Sequence, residues 1–372
     1  MPTSYSARLF TDIESIAPLW RELSERGAAS NFAFQDIRWL RLWYRHLAAN
    51  GNGRAVIAVI VEGSDRAGEI DPARVVMVLP LIRRYKFFLP IVEFADRGIT
   101  DYNIALLGPM SPKSKDAAEM AFAALARALR PYVTLRLRKM PAALDGTPHP
   151  FGCLDDAQQS DLAAHNITLP SSSVGYLESF GKKKRSEIQR ARRAFEASGN
   201  LRFGAAETLA ERREVFSLIR AGQRRRVPEK GDRYFLEDEG YRQFYEDLVE
   251  DPTFADLATV TALWLDGRPI AGLLGVRRGN RYIALRIGQS DDPEVTRLGA
   301  GKLLLVETAK LAIDAGLRVF DLSLGGNALK AWFHPEPFPL IEVERLFNGL
   351  VRSRRRRNEV VEPIARGAEQ GT

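Results

Sequence analysis

Apolar positions in the first 165 residues alternate between helical spacing and short continuous runs, and this alternation predicts an α/β unit. Trp39, Leu40, Trp43 and Leu47 fall on one helical face, which is typical of packing on a core rather than of a binding site. Pro131 marks the end of the last helix of this unit. The predicted elements are a helix over 12–25, a helix from 37, strands over 54–61, 75–82 and 104–107, a helix over 115–130 and a strand over 132–138.

The second half has more strands and ends in a strand, a helix and a further strand. Asp266-Gly267 lies between two apolar runs and predicts a tight hairpin. A strand–helix–strand connection favours a parallel neighbour, so the strand over 319–324 is expected to rejoin the sheet in that orientation. The predicted elements are a basic helix from about 179, a strand over 201–203, helices over 208–224 and 239–250, strands over 257–265, 269–276 and 281–287, a helix over 302–314 and a strand over 319–324.

A change in composition separates the two halves. Proline, glycine and serine are concentrated in 140–150 and 169–173, where the chain is expected to cross between domains. We predict an N-terminal domain over 1–165, a C-terminal domain over 166–350 and a flexible basic tail over 351–372. A chain of 372 residues is long enough for two such domains.

The segment Thr296-Arg-Leu-Gly-Ala-Gly-Lys302 follows the last antiparallel strand and precedes a helix. Gly299 and Gly301 can adopt positive φ angles and leave backbone N–H groups unobstructed. The helix behind them adds the positive end of a helix dipole. Such a segment suits a phosphate or a pyrophosphate. The alternative is a plain turn between a strand and a helix.

The net charge is +7, and two segments carry much of the positive charge, 182–193 and 352–357. Basic clusters attract phosphates, nucleic acid or an anionic lipid surface, and they are also common as solvated faces. We therefore keep peripheral membrane contact through these clusters open.

Cysteine and histidine usage excludes several classes of protein. One cysteine, Cys153, rules out an internal disulfide framework, and four scattered histidines without C-x-x-C or H-E-x-x-H spacing give no zinc site. No apolar run is long enough to span a bilayer, and the first residues lack the pattern of a signal peptide. We expect a cytoplasmic protein.

The order of antiparallel strands, glycine segment, helix and parallel strand resembles the GNAT acyltransferase fold. The glycine segment is similar to that superfamily's [QR]-x-x-G-x-[GA] motif, with Thr296 at the Gln/Arg position. A closer resemblance is to the CelD-like or BioF2-like acetyltransferase group, which is related to the Fem-type aminoacyl transferases. It rests on the basic segment 179–193, on 265–272, and on 320–333, which is similar to F-D-x-x-x-G-x-x-x-Y-K-x-x-[WF] with Leu329 at the Tyr position.

This resemblance implies an α/β (α+β) fold of tandem GNAT-like domains, each a mixed, mostly antiparallel sheet flanked by helices. The first domain would be degenerate and lie on the substrate side. Acetyl-CoA or another acyl-CoA would be the co-substrate, without a metal, and its pantetheine would lie between splayed strands. The residues expected to bind the pyrophosphate are Arg297, Leu298, Gly299, Ala300, Gly301 and Lys302.

Acyl transfer to an amine requires a donor to the thioester oxygen and an acceptor amine held close and neutral. The resemblance places Lys330 near the acyl donor, and Asp321 is expected to act as an acid or base or to orient that lysine. The alternatives are a surface lysine and a structural, hydrogen-bonded aspartate. The residues expected to face the acceptor are Asp101, Tyr102, Asn103 and Arg226.

The predicted function is therefore an acyl-CoA-dependent N-acyltransferase that acts on a small-molecule or glycan-precursor amine, such as an amino sugar or a cell-envelope or exopolysaccharide precursor. Nucleic acid is not an expected partner in this interpretation. The second hypothesis is a Fem-type transferase that uses aminoacyl-tRNA, for which the basic helix would contact RNA. The third is a degenerate GNAT-fold domain that serves only as an interaction module.

Overall fold

The computed structural model describes residues 4–25, 32–48, 53–64, 68–144, 146–162, 164–229, 234–326 and 328–346. Within these residues the strands form two large mixed sheets, of eight and seven strands, with helices packed on them. This arrangement confirms the predicted fold class. The basic tail predicted over 351–372 lies outside the described residues.

The first half supplies most of the eight-stranded sheet. A strand, two helices and three antiparallel strands are followed by a helix and a strand that pairs in parallel with the third of those strands. The elements are β1 (Tyr5–Phe10), α1 (Ala17–Glu25), α2 (Ile37–Trp43), β2 (Gly53–Glu62), β3 (Val75–Lys86), β4 (Leu89–Phe94), β5 (Leu106–Leu107), α3 (Lys115–Ala128) and β6 (Thr134–Pro141).

The connection between the halves contains short strands and leads into a long basic helix. These elements are β7 (Ala143–Leu144), β8 (Thr147–Pro148), β9 (Ala157–Gln159), β10 (Ala164–Thr168) and α4 (Lys182–Ser198). Ile188, Ala191 and Phe195 of α4 are buried while most of its lysines and arginines are exposed, as the predicted single packed face requires.

The second half repeats the order of the first: a strand, two helices, three antiparallel strands, a helix and a parallel strand. The elements are β11 (Leu201–Ala205), α5 (Leu209–Glu229), α6 (Glu239–Glu250), β12 (Ala258–Leu265), β13 (Arg268–Arg278), β14 (Arg281–Gln289), α7 (Pro293–Leu298), α8 (Ala300–Asp314), β15 (Val319–Leu324), α9 (Ala328–Trp332), β16 (Glu336–Phe338) and β17 (Leu340–Leu346).

The two halves exchange strands at the end of the chain. The seven-stranded sheet has the order β11-β12-β13-β14-β15-β10-β16, so β10 completes it from the connecting region. The last strand, β17, crosses back and pairs with β6 and β9 in the first sheet. The last strand of the chain therefore belongs to the second half in sequence but to the first sheet in space.

One hydrophobic core is shared by both halves. Trp39 of α2 packs edge-on against Phe244 of α6, with ring centroids 4.8 Å apart. Trp39, Leu40, Trp43 and Leu47 are all buried in this shared cluster, so their predicted role in the core is confirmed. Burial of large side chains at this interface contributes on the order of 2 kcal/mol each and fixes the halves relative to one another.

The third strand of the first half was expected at 104–107, but only the two-residue β5 lies there. The strand that fills this place is β4, which follows β3 after a turn at Phe87 and Phe88. No glycine, asparagine or aspartate marks that turn, so the apolar run through it gives no hairpin signal.

Candidate functional site

A wedge opens between β14 and β15. The two strands pair in parallel only from Arg281 opposite Val319 to Ile283 opposite Asp321, and beyond these residues they separate. β15 pairs instead with β10 along its other edge. Residues 281–283 are buried, whereas 284–287 are half-buried, so the separated part of β14 is less covered than the paired part.

A bulge on β14 lies at the point where the wedge opens. Leu274 of β13 pairs with Arg286 and Gly275 pairs with Ala284, so Leu285 is an extra residue outside the ladder. A bulge bends its strand and increases the local twist. Here it turns β14 away from β15 and leaves the backbone of Leu285 unpaired with β13.

The predicted glycine loop is two helices joined at one glycine. Residues 293–298 form α7, and Gly299, with φ +79°, links it to α8. The expected positive φ at Gly301 is wrong, because this residue lies in the first turn of α8. The amides of Ala300 and Gly301 have no acceptor among the described residues, and no side chain caps the helix. The segment predicted to bind phosphate is therefore an uncapped helix N-terminus rather than a loop.

Gly301 faces the mouth of the wedge. A Cβ atom at this position would lie 3.3 Å from Oε1 of Gln289 and 3.9 Å from Ile287 and Leu329. Gln289 in turn donates a hydrogen bond of 2.9 Å to the hydroxyl of Thr296. The N-terminus of α8, the end of β14 and α9 thus meet at one point.

The side chains of the other predicted phosphate ligands already have partners or little contact with the wedge. Arg297 is exposed and forms an ion pair of 2.7 Å with Glu294, and Leu298 is half-buried. Lys302 forms an ion pair with Glu187 of α4 and lies 5.7 Å from the ring of Trp332. Burial would raise the pKa of Glu187, but hydrogen bonds from Lys302 and Trp332 and nearby positive charges outweigh it and lower that pKa.

Lys330 lies on α9, beside the end of β15. Its ammonium donates a hydrogen bond to the carbonyl oxygen of Leu324, the last residue of β15. Burial lowers the pKa of Lys330, and the charge of Arg226 acts in the same direction, while Asp101 and Asp321 oppose the shift. A lysine in such surroundings gives up its proton more readily than a surface lysine.

A carboxylate from the first half reaches this lysine. Asp101 accepts a hydrogen bond from the hydroxyl of Ser323, which lies at the end of β15 with φ +65°. Arg286 of β14 donates two hydrogen bonds, of 3.0 and 2.8 Å, to the hydroxyl of buried Tyr245. The negative charge of Asp101 favours the protonated form of Arg286. Asp101, Ser323, Lys330 and Arg286 therefore form a polar cluster between the two halves.

Asp321 is fully buried and has partners on both carboxylate oxygens. One oxygen accepts hydrogen bonds from the hydroxyl of Tyr102 (2.7 Å) and the amide of Ser323 (2.6 Å), and the other forms an ion pair of 2.8 Å with Arg281. Burial raises the pKa of Asp321, and these partners oppose the rise. Asp321 and Tyr102 therefore join the halves beneath the cluster and have no surface toward a substrate.

Two further predicted acceptor ligands differ in position. Asn103 is buried and donates hydrogen bonds to Asp96 (3.0 Å) and to the carbonyl of Arg138 (2.9 Å), which places it within the first half. Arg226, half-buried near the end of α5, influences the pKa of Lys330 and belongs to the cluster.

Three residues of the cluster and its surroundings were not predicted as site residues from the sequence: Ser323, Arg286 and Tyr245. Arg286 interrupts the apolar run of β14, and this interruption was an available signal. The sequence does not predict the left-handed backbone of Ser323, since residues with a Cβ rarely adopt this conformation.

Within the described residues, no group of three histidine, cysteine, aspartate or glutamate side chains is arranged to hold a metal ion. Among the described helices, none combines the length and the apolar character that crossing a bilayer requires.

Residues 182–331 match the family model of the acetyltransferase (GNAT) domain. This range contains the wedge, α8 and Lys330. No curated protein sequence matches the chain.

Several solved structures are similar to this chain at low sequence identity. FemX has a TM-score of 0.54 at 12% identity, with 94% of this chain and 98% of that chain covered. A conserved protein of unknown function from Bacteroides thetaiotaomicron VPI-5482 has a TM-score of 0.51 at 10% identity, covering 82% and 88%. A tandem GNAT protein from the clavulanic acid biosynthesis pathway has a TM-score of 0.46 at 12% identity, covering 92% and 98%.

Proposed function

We propose that this chain transfers an acyl group from acyl-CoA to an amine acceptor, because residues 182–331 match the acetyltransferase (GNAT) domain family. The observation that carries the proposal is the wedge between β14 and β15, with an uncapped helix N-terminus at its mouth and Lys330 beside the end of β15. In this proposal the wedge would separate a site for a phosphorylated donor from a polar site for an acceptor.

The donor would enter from the α8 side. The amides of Ala300 and Gly301 would receive the pyrophosphate, and the missing side chain of Gly301 leaves the approach open. The pantetheine arm would then follow the separated edge of β14 towards the bulge at Leu285. An extended arm suits a strand edge because the edge carries backbone donors and acceptors that are not paired within the sheet.

The acceptor amine would lie between the halves. Its nitrogen attacks the thioester carbonyl carbon, the C–S bond breaks, and the sulfur leaves as a thiolate that needs a proton while the amine loses one. Lys330 would donate to the oxygen or the sulfur as negative charge develops. Asp101 would hold the amine and accept its proton.

Asp321 would act as a positioning residue. Its hydrogen bonds fix Tyr102, the neighbour of Asp101, and the backbone amide of Ser323, whose hydroxyl donates to Asp101. We therefore keep the proposed role of Asp321 in the site but assign it to geometry rather than to proton transfer.

The acceptor proposed from the family resemblance is an amino sugar or another cell-envelope or exopolysaccharide precursor. The charges around the cluster support an acceptor that carries an anionic group as well as its amine, because Arg226 and Arg286 lie beside Asp101 and Lys330.

One observation favours the second hypothesis, an aminoacyl-tRNA-dependent transferase. α4 exposes Lys182, Lys183, Arg190 and Arg193, and a continuous basic helix face is suited to RNA phosphates. Binding of tRNA with a steep dependence on salt would support it. An absence of RNA binding at low salt would contradict it.

Thermal unfolding with and without donor tests the leading proposal. Acetyl-CoA or a longer acyl-CoA at a hundred times its Kd should stabilise the protein by about 2.7 kcal/mol and raise its melting temperature. If no acyl-CoA raises the melting temperature, the donor assignment is wrong. Turnover of a CoA thioester that is lost on Lys330→Ala would exclude a purely structural interaction module.

A further inference from the structure

The turn between β3 and β4 is made of two phenylalanines in left-handed backbone conformations. Lys86 pairs with Leu89, so only Phe87 and Phe88 lie in the loop, with φ angles of 48° and 63°. Positive φ at both central residues defines a type I′ turn, for which Asn-Gly is preferred. A residue with a Cβ is strained in this backbone conformation. Folding of the hairpin therefore does not by itself explain why phenylalanine occupies both turn positions.

Both phenylalanines project into solvent. Phe87 is 84% exposed and Phe88 is 97% exposed, and the flanking Tyr85 and Leu89 are each about half exposed. Four large apolar side chains are thus gathered at the tip of one protruding hairpin. Contiguous exposed apolar groups of this kind mark interaction sites rather than ordinary surface.

The end of the sheet that carries this tip is basic. Lys86 lies 6.0 Å from the ring of Phe87, and Arg54 pairs with Arg83 across β2 and β3. Arg83 donates a hydrogen bond to the carbonyl of Leu129, which brings the end of α3 and Arg130 to the same side. Positive charge around an apolar tip favours a negatively charged partner surface.

The chain also leaves the first sheet at this end. Leu346, the last residue of β17, pairs with Thr134, and Thr134 pairs with Ile91 two residues after the start of β4. The next eleven residues of the sequence include Arg352 and the four arginines of 354–357. The basic segment 352–357 therefore follows, in sequence, a strand that ends at the same end of the sheet as the aromatic tip.

We propose that the Phe87–Phe88 hairpin inserts into the interface of an anionic lipid bilayer. Aromatic side chains are favoured at the level of the lipid headgroups, and lysine and arginine are attracted to anionic lipids. Stable attachment requires two such signals together, and this end of the molecule supplies both. In this orientation the turn between β3 and β4 points towards the membrane, and the end of the first sheet that carries this turn lies against it.

Sedimentation with vesicles of phosphatidylglycerol and of phosphatidylcholine tests the proposal with the full-length protein. The wild type should bind phosphatidylglycerol vesicles, bind phosphatidylcholine vesicles much more weakly, and lose binding as salt is raised. The double variant Phe87→Asn/Phe88→Gly places the preferred turn residues at the tip. It should bind at least about tenfold more weakly, with a melting temperature no lower than that of the wild type.

The matched control is Val174→Asn, which removes another exposed apolar side chain, 89% exposed, from the second half. It should bind vesicles as the wild type does. Unchanged binding by the double variant overturns the proposal, as does equal binding of the wild type to both lipids. An absence of binding to either vesicle also overturns it and would leave the tip as a contact for a protein. None of these measurements uses acyl-CoA, so the result is independent of the proposed reaction.

Discussion

The hydroxyl of Ser323 donates a hydrogen bond to the carboxylate of Asp101, 222 positions earlier in the chain. Ser323 keeps a left-handed backbone, with φ +65°, because its amide is bonded to Asp321 and its own hydroxyl accepts from the amide of Leu324 at 2.6 Å. Strained residues of this kind are retained where the surroundings fix them, often at functional sites. The first half therefore completes a cluster whose other members belong to the second half.

Removing the ammonium of Lys330 should abolish most of the activity without unfolding the protein. Lys330→Met should lower kcat by about 100-fold or more, the range expected for loss of a group that assists proton transfer. Steady-state release of CoA from an acyl-CoA measures this effect. Lys183→Met removes an exposed lysine of α4 and should leave kcat unchanged. Equal activity of the two variants would exclude Lys330 from the reaction.

The pH dependence of turnover should report on the same lysine. Burial lowers the pKa of Lys330 below its ordinary value of 10.5, so a protonated Lys330 is lost as pH rises through that lowered pKa. Activity should therefore fall on a basic limb below pH 10.5. Lys330→Arg keeps its charge to higher pH and should move this limb upward. A limb at the same pH in both enzymes would assign it to another group.

Substitution of Asp101 should lower activity, whereas substitution of Asp321 should lower stability. Asp321→Asn leaves Arg281 buried without its charged partner and should lower the free energy of unfolding by about 3–5 kcal/mol. Asp101→Asn keeps an acceptor for Ser323 but removes the charge near Lys330, so it should lower kcat with little change in unfolding. Denaturant titration and initial rates on both variants distinguish the two roles. A large loss of stability in Asp101→Asn together with a loss of activity but not of stability in Asp321→Asn would contradict the described geometry.

Filling the space at Gly301 should weaken donor binding. A Cβ there approaches only the flexible end of Gln289, so Gly301→Val should fold and place its methyl groups in the mouth of the wedge. We expect the KM for acyl-CoA to rise by about tenfold, a loss of roughly 1.4 kcal/mol in binding. Gly204→Val on β11, where an added Cβ meets nothing within 4 Å, is the matched control. An unchanged KM in Gly301→Val would move the donor away from α8.

Burial of His149 should make the first half sensitive to mild acid. Its pKa is lowered from 6.5 to about 4 by burial, and its Nδ1 accepts a hydrogen bond of 3.1 Å from the amide of Phe151. Below pH 6.5 the unfolded chain takes up a proton that the folded protein excludes, so stability is lost as pH falls towards 4, by roughly 3 kcal/mol. His149→Asn retains an acceptor at this position and should flatten the loss. Unfolding free energies at pH 7 and pH 4.5 for both proteins would show whether His149 is its source.

Much of the second half followed from periodicity alone. The apolar runs of β12, β13 and β14, the Asp266-Gly267 turn, the helix behind the glycine segment and the parallel β15 were all predicted, because each is encoded by local spacing and turn chemistry. Lys330 and Asp321 were singled out by resemblance. Their surroundings differ, since Lys330 is half-buried at the wedge and Asp321 is fully buried.

The features that sequence reasoning missed depend on distant contacts or on unfavourable local conformations. β4 was hidden because its turn uses Phe87 and Phe88 instead of turn residues. The return of β17 to the first sheet depends on pairing with β6, 206 residues or so earlier, which no local pattern encodes. The glycine segment became two helices because Gly299 alone supplies the required positive φ.

The position of bound CoA is the most direct test of the proposed function. A crystal structure of the protein with CoA should show the pyrophosphate at the amides of Ala300 and Gly301 and the pantetheine arm between β14 and β15, with its sulfur near Lys330. Density for CoA elsewhere on the protein, or a wedge left empty at saturating CoA, would contradict the account.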